Sequence, residues 1–442
     1  TTAIYANADL QGQVDKMSGK VDYMMKKLGK VNAQAANDNI KFDVDFRTSY
    51  DQIAYETVGG NDDLTNGIFS NRLWLNMGYA PTSDLVFKGQ LAYHKAFGAA
   101  PINSMGALDS GASFNAPQRG FGFDTFDWIS SETLNDDKLR VREAYWLWMP
   151  KVGDAALTFS VGRRPSTNGY LSNLREDDKN AKSPLGHVIN MEFDGASAGV
   201  TYDSILPGFM FKLCLGRGLT NAKAWANEAD ATLASGMGAT SPNYIEDKNA
   251  MDTVDMYGFI FVPYDDGQYA VKTTWYRGTN VPGMRGQFNL DSSGSDANGD
   301  GLDDLYIASQ DWAMENTGDM DGMAVSFKVD GIGDGISDFL DETTFFASYA
   351  MSKSNPEKRA SSMFNPTAAG GAVMASMMAI PQYAAMLGTM DQGAMMGSND
   401  SETGSSYWLG INVPNMTGGR FGLEYNKGDK YWRSFTYGED TL

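Results

Sequence analysis

An antiparallel transmembrane β-barrel, an all-β membrane fold, is what this sequence predicts, with an N-terminal α-helical coiled-coil segment ahead of it. Three observations carry that expectation. Within residues 138–149, Leu139, Val141, Tyr145, Leu147 and Met149 share one parity while Arg140, Arg142, Ala144, Trp146 and Trp148 share the other. A strand there presents hydrocarbon on one face and a more polar surface on the other. Such segments recur along the chain, joined by short turns and long loops in alternation, which is the pattern of barrel wall strands. No run of eighteen or more apolar residues occurs, and this excludes a helical membrane span.

Composition agrees with that class. The chain has 442 residues, a formal net charge of -20 and a mean hydropathy of -0.36. Low hydropathy does not oppose a membrane, because a barrel places apolar residues singly at every second position and builds no strong window average. The single cysteine, Cys214, cannot form an internal disulfide, and no Cys/His cluster offers a zinc or haem site. Nucleic acid is not expected as a partner of so acidic a chain. The first residues lack the basic and apolar regions of a signal peptide, as a mature exported chain would.

The elements follow in order. Leu10, Val14, Met17, Val21, Met24, Leu28 and Val31 are spaced 4, 3, 4, 3, 4 and 3, a heptad seam. It reads as a parallel coiled coil joining protomers, or as an isolated amphipathic helix packed on the barrel. Gly12, Gly19 and Gly29 weaken the helix, so association has to hold it together. Residues 1–36 are therefore assigned to a periplasmic coiled coil and 40–442 to the barrel.

From Ile40 onward strands follow one another. Ile40, Phe42, Val44 and Phe46 alternate with Lys41, Asp43, Asp45 and Arg47. Phe69, Leu73, Leu75, Met77 and Tyr79 oppose Arg72, Trp74 and Asn76; Leu85, Phe87, Leu91 and Tyr93 oppose Lys88, Gln90 and His94. Further strands are predicted over 138–149, 155–163, 187–203, 209–217, 254–262, 268–277, 322–329, 343–353, 405–413 and 420–427. That makes about thirteen, with long loops near 51–67, 98–137, 164–186, 218–251, 278–320 and 354–404. Residues 438–442 read as the middle of a loop. A barrel in lipid must close its edges, so about sixteen strands are expected in the complete protein.

Val141-Arg142-Glu143-Ala144-Tyr145, the ending Val161-Gly162-Arg163, the loop after it and Tyr202-Asp203-Ser204 before Gly208 resemble the general bacterial porins around their third extracellular loop. The heptad segment, Tyr425-Asn426-Lys427-Gly428 and the Met/Ala-rich late loop resemble a group of porin-like outer-membrane proteins. This resemblance implies a homotrimer in the bacterial outer membrane, held through barrel wall and coiled coil. It also implies a loop after the fifth strand that folds back and narrows the pore, acidic on its own side and facing a basic wall. The matching positions are Glu176, Asp177 and Asp178 on the loop and Arg140, Arg142 and Arg163 on the wall, with Arg47, Arg72 and Lys88 on the same parity. The plainer alternative makes 175–179 a solvated loop tip. Glu143 departs from the scheme by falling on the apolar parity; it sits at the rim, beside the loop, or after a bulge.

Other features carry less. Asp296, Asn298, Asp300 and Asp304 follow the opening of a calcium loop, in which alternating oxygens wrap a hard cation. The twelfth position is Ile307 where a bidentate glutamate belongs, so Ca2+ binding and a plain polar loop both stay open. Seven methionines lie within 368–396; an apolar loop is favoured there over a Cu(I) site. His94 and His187, the only histidines, show no hydrolase arrangement, and no enzyme is expected. The predicted function is passive diffusion of small hydrophilic solutes and ions, with a mild cation preference at low salt from acidic mouths. The competing class is a non-transport surface protein that uses a plugged barrel as an anchor.

Overall fold

The computed structural model describes residues 40–55, 64–98, 139–166, 168–176, 181–219, 222–224, 244–246, 253–384 apart from 298, 300, 334, 358–363 and 365, and 398–436 apart from 399, 416 and 417. The coiled-coil segment expected over 1–36 lies outside these residues.

Thirteen strands run in sequence through one antiparallel sheet: β1 (Lys41–Tyr55), β2 (Leu64–Tyr79), β3 (Leu85–Ala96), β4 (Arg140–Trp148), β5 (Ala155–Ser166), β6 (Ile189–Thr201), β7 (Met210–Leu219), β8 (Val254–Asp265), β9 (Tyr269–Thr279), β10 (Gly318–Asp330), β11 (Thr344–Pro356), β12 (Thr403–Pro414) and β13 (Arg420–Gly428). Each pairs with the next, so short turns fall on one end of the sheet and long connections on the other, as the alternation of turn lengths predicts. Among the described residues no helix is long and apolar enough to cross a membrane. Also among them, β1 pairs only with β2 and β13 only with β12.

The two faces are inverted relative to a water-soluble protein. On β7, Phe211, Leu213 and Leu215 are exposed while Lys212 and Cys214, on the other parity, are half-buried. Phe42, Val44 and Phe46, Val325 and Phe327, and Tyr407 and Leu409 repeat the exposed apolar face. Ser70, Arg72, Gln90, His94, Ser160 and Ser197 are buried on the opposite one. A soluble sheet buries its apolar parity, because each large apolar side chain removed from water is worth roughly 1.5–3 kcal/mol. This arrangement is stable only where the outer face meets hydrocarbon.

The sheet curls so that its polar face turns inward. β6 and β12 are six strands apart, which in a flat sheet is ~29 Å. Yet His187, two residues before β6, lies with Nε2 3.0 Å from Ser406 Oγ on β12. Two residues reach only ~7 Å and the imidazole little more, so the wall wraps round an interior. Glycines ease the bend: Gly162 of β5, Gly195 of β6 and Gly216 of β7 stand opposite one another in register. A Cβ at Gly195 would strike the Leu215 carbonyl of the neighbouring strand.

β4 departs from the expected parity. Its register with β3 shifts between Gln90 and Leu91, leaving Arg142 as the extra residue. A bulge of this kind reverses the alternation beyond it. Arg142 and Glu143 are both buried, and Trp146 and Trp148, expected on the polar face, point outward instead.

Long connections that the alternation predicts as loops contain further elements. Pro282–Ser292 and Leu305–Asn316 form an antiparallel hairpin, and Ala368–Met378 is a helix capped by the Thr367 side chain, which accepts from the Gly370 amide. Met374 and Met377 of that helix pack on Leu290 and Phe364, so this part of the methionine-rich segment is apolar packing.

Candidate functional site

The interior is organised by the connection between β5 and β6, the loop after the fifth strand. It enters through Gly169–Tyr170, makes a 3-10 turn over Ser172–Glu176 and returns through Lys182–Leu185, which pairs in parallel with Gly169–Tyr170. Side chains on four separate wall strands hold it. Arg175 donates to both carboxylate oxygens of Glu424 on β13, with Nη2 at 2.7 Å from Oε2. Lys182 pairs with Glu143 on β4. The Leu185 amide donates to Thr274 Oγ1 on β9 at 3.3 Å, and Asn412 Nδ2 on β12 donates to the Leu174 carbonyl at 3.3 Å.

His187 completes the anchorage. Nδ1 lies 2.8 Å from Ser348 Oγ and Nε2 3.0 Å from Ser406 Oγ, and the ring stands edge-on to Trp408 with centroids 5.6 Å apart. Burial alone pushes the imidazole down to about 4. The folded state therefore keeps it neutral where an unfolded chain would take up a proton. This contribution is complete above about pH 6.5 and falls away by about 3 kcal/mol as pH drops toward 4. A His187→Gln variant is expected to lose less stability than the parent between pH 6.5 and 4, measured by unfolding in lipid at each pH.

A second segment folds inward from the far end of the sheet. After β13 the chain crosses the interior: the Arg433 amide donates to Ser352 Oγ on β11 at 2.9 Å. Phe435–Thr436 then pairs in parallel with Ile189–Asn190. Trp432 and Phe435 join Leu171, Leu185, Tyr276, Phe346 and Trp408 in one apolar cluster. The interior is thus packed with hydrocarbon along β8–β12.

The β1–β5 side is charged. Arg142, 2% exposed, has Nε 2.9 Å from Glu192 Oε1, an ion pair whose N–H is not aimed at that oxygen, so the attraction is mainly coulombic. Its Nη1 donates to Gln90 Oε1 at 2.6 Å. Arg72 donates to both oxygens of Asp45 at 3.2 Å. Both guanidiniums lie over the Trp74 ring, its centroid 3.5 Å from Arg72 Cζ and 4.4 Å from Arg142 Cζ. Stacking and carboxylate pairing together fix charges that would otherwise repel each other.

The predicted site residues separate accordingly. Arg142 lies on the inner wall, and Arg140 stands on its parity opposite buried Ala92. Arg163 shares the parity of exposed Phe159 and Val161, and its Nε and Nη2 donate to Asp194 at 2.9 and 3.1 Å, so it belongs to the outer rim. Glu176 ends the 3-10 turn, while Asp177 and Asp178 lie outside the described residues. The residues that attach the loop are Arg175, Lys182 and His187. Their partners are remote in sequence, Glu424 lying 249 positions from Arg175, and the one available signal was the odd parity of Glu143. In the proposed calcium loop, Asp296 accepts from the Gly299 and Gly301 amides at 2.7 and 2.8 Å, and Asp304 from the Ala297 amide at 3.0 Å. Asn298 and Asp300 lie outside the described residues, and among those described no His, Cys, Asp or Glu group is placed to hold a metal.

Comparison with solved structures finds bacterial outer-membrane proteins. OmpT of Vibrio cholerae in its trimer form is 10% identical, with 89% of each chain covered and a TM-score of 0.33. Salmonella typhi OmpF in complex with daunomycin is 10% identical over 88% of this chain and 91% of that one, with a TM-score of 0.36. OprB of Pseudomonas putida is 11% identical over 90% and 92%, with a TM-score of 0.35. No curated protein matches. A sequence family described as a protein of unknown function, DUF3373, matches residues 62–442, and the chain belongs to that family.

Proposed function

We propose that this protein is a passive channel of the bacterial outer membrane, a homotrimer that lets small hydrophilic solutes and ions diffuse through an interior narrowed by the 168–187 segment. The observation that supports it most is the inverted sheet curled round that segment, with a charged wall left facing the interior along β1–β5. Lipid on one face and permanent charge on the other suit a water-filled path more than any catalytic or purely adhesive role. One observation favours the second reading, a plugged barrel serving as an anchor: the apolar packing of Leu171, Leu185, Trp408, Trp432 and Phe435. Reconstitution into planar bilayers separates them. Stable ohmic steps are expected of the channel; folded protein that inserts without conducting would establish the anchor.

A further inference from the structure

We infer that the inner wall selects anions, although the chain as a whole carries a net charge of -20; this rests on the channel reading above. Arg47, Arg72 and Lys88 stand on the inward parity of β1–β3, in register with one another's strands at Arg47–Arg72 and on the parity of buried Gln90. Arg140 and Arg142 on β4 continue this surface. Arg164 on β5 lies over the ring of inward-facing Tyr145, and Lys212 on β7 shares the parity of Cys214. Lys182 joins them from the inward-folded segment. Against these eight cations the described strands set four carboxylates, Asp43, Asp45, Glu143 and Glu192, while Lys41 and Asp51, on the same parity of β1, offset each other. The surplus is four positive charges.

Location decides which charges matter. Selectivity follows the groups that line the narrow, low-dielectric path, and rings of Arg and Lys favour anions. Charges at an open mouth are screened within about 8–10 Å at ordinary ionic strength. The cation preference expected from overall acidity therefore gives way to the wall. Five of the eight cations are guanidiniums, and Arg72 and Arg142 are held in place by the Trp74 ring. A small hydrophilic anion bearing a carboxylate or phosphate group is the solute class that fits, since guanidinium edges bind those planar or tetrahedral oxygen sets in pairs.

The test is the zero-current potential of the full chain in a potassium chloride gradient, before and after Arg47→Glu with Lys88→Glu. The expected result is chloride permeating at least about twofold better than potassium, with the double variant shifted to or beyond equal permeability. If the charge reversals prevent folding, Arg47→Gln with Lys88→Gln should give a smaller shift of the same sign. Conducting protein that prefers potassium, or a potential unmoved by either pair, overturns the inference and leaves the channel standing. Inserted, folded protein that does not conduct overturns both.

Discussion

Arginine in place of Leu213 is expected to destabilise the protein by about 2–4 kcal/mol in lipid. Leu213 lies mid-strand on β7 and is 52% exposed, with Ala198 and Phe259 beside it on the neighbouring strands. On a water-soluble sheet an exposed position of this kind would accept arginine within about 0.5 kcal/mol, so the size of the effect reports the surrounding medium. Equilibrium unfolding in vesicles gives the number. The neighbouring inward position should respond differently, because Lys212 already places a cation there.

The second large effect belongs to the buried pair Arg142–Glu192, each partner 2% exposed. Arg142→Met should cost about 3–5 kcal/mol, because it strands the Glu192 carboxylate in a poorly solvated site. Arg142→Met together with Glu192→Leu should cost less than Arg142→Met alone, since no unpaired charge remains. A double-mutant cycle read from unfolding midpoints checks this. If the two single costs simply add, the ion pair is not coupled and Gln90 is the partner that matters.

Much of the wall was legible in the sequence because side-chain period is a local property. The alternation predicts thirteen runs, and the thirteen long strands of the sheet fall on them, with β1 and β2 extending further into their loop than expected. Where the reading failed, a local rule was broken by something not local. Trp146 and Trp148 face outward, against their parity in the sequence, because the extra residue at Arg142 is visible only against its partner strand. The first strand of the Pro282–Asn316 hairpin carries the alternation Met284, Gly286, Phe288 and Leu290, but it lies in a stretch whose spacing predicts one long loop. The loop after β5 folds inward as the resemblance implies, and it is attached through Arg175, Lys182 and His187, for which the sequence offers no expectation: Glu176, Asp177 and Asp178 are read there only as the acidic side of the constriction. Those contacts join positions up to 249 residues apart, and no periodicity encodes them.

The central claim is that one face of this sheet lies in hydrocarbon and the other does not. Spin labels scanned singly along residues 211–216 of β7, in a Cys214→Ser background that removes the only native thiol, test it most directly. After reconstitution, labels at 211, 213 and 215 should collide with dissolved oxygen and be shielded from a water-soluble paramagnetic reagent. Labels at 212, 214 and 216 should lack that lipid exposure, giving an alternation of period two. Equal access of the water-soluble reagent to positions 211, 213 and 215 would contradict the account.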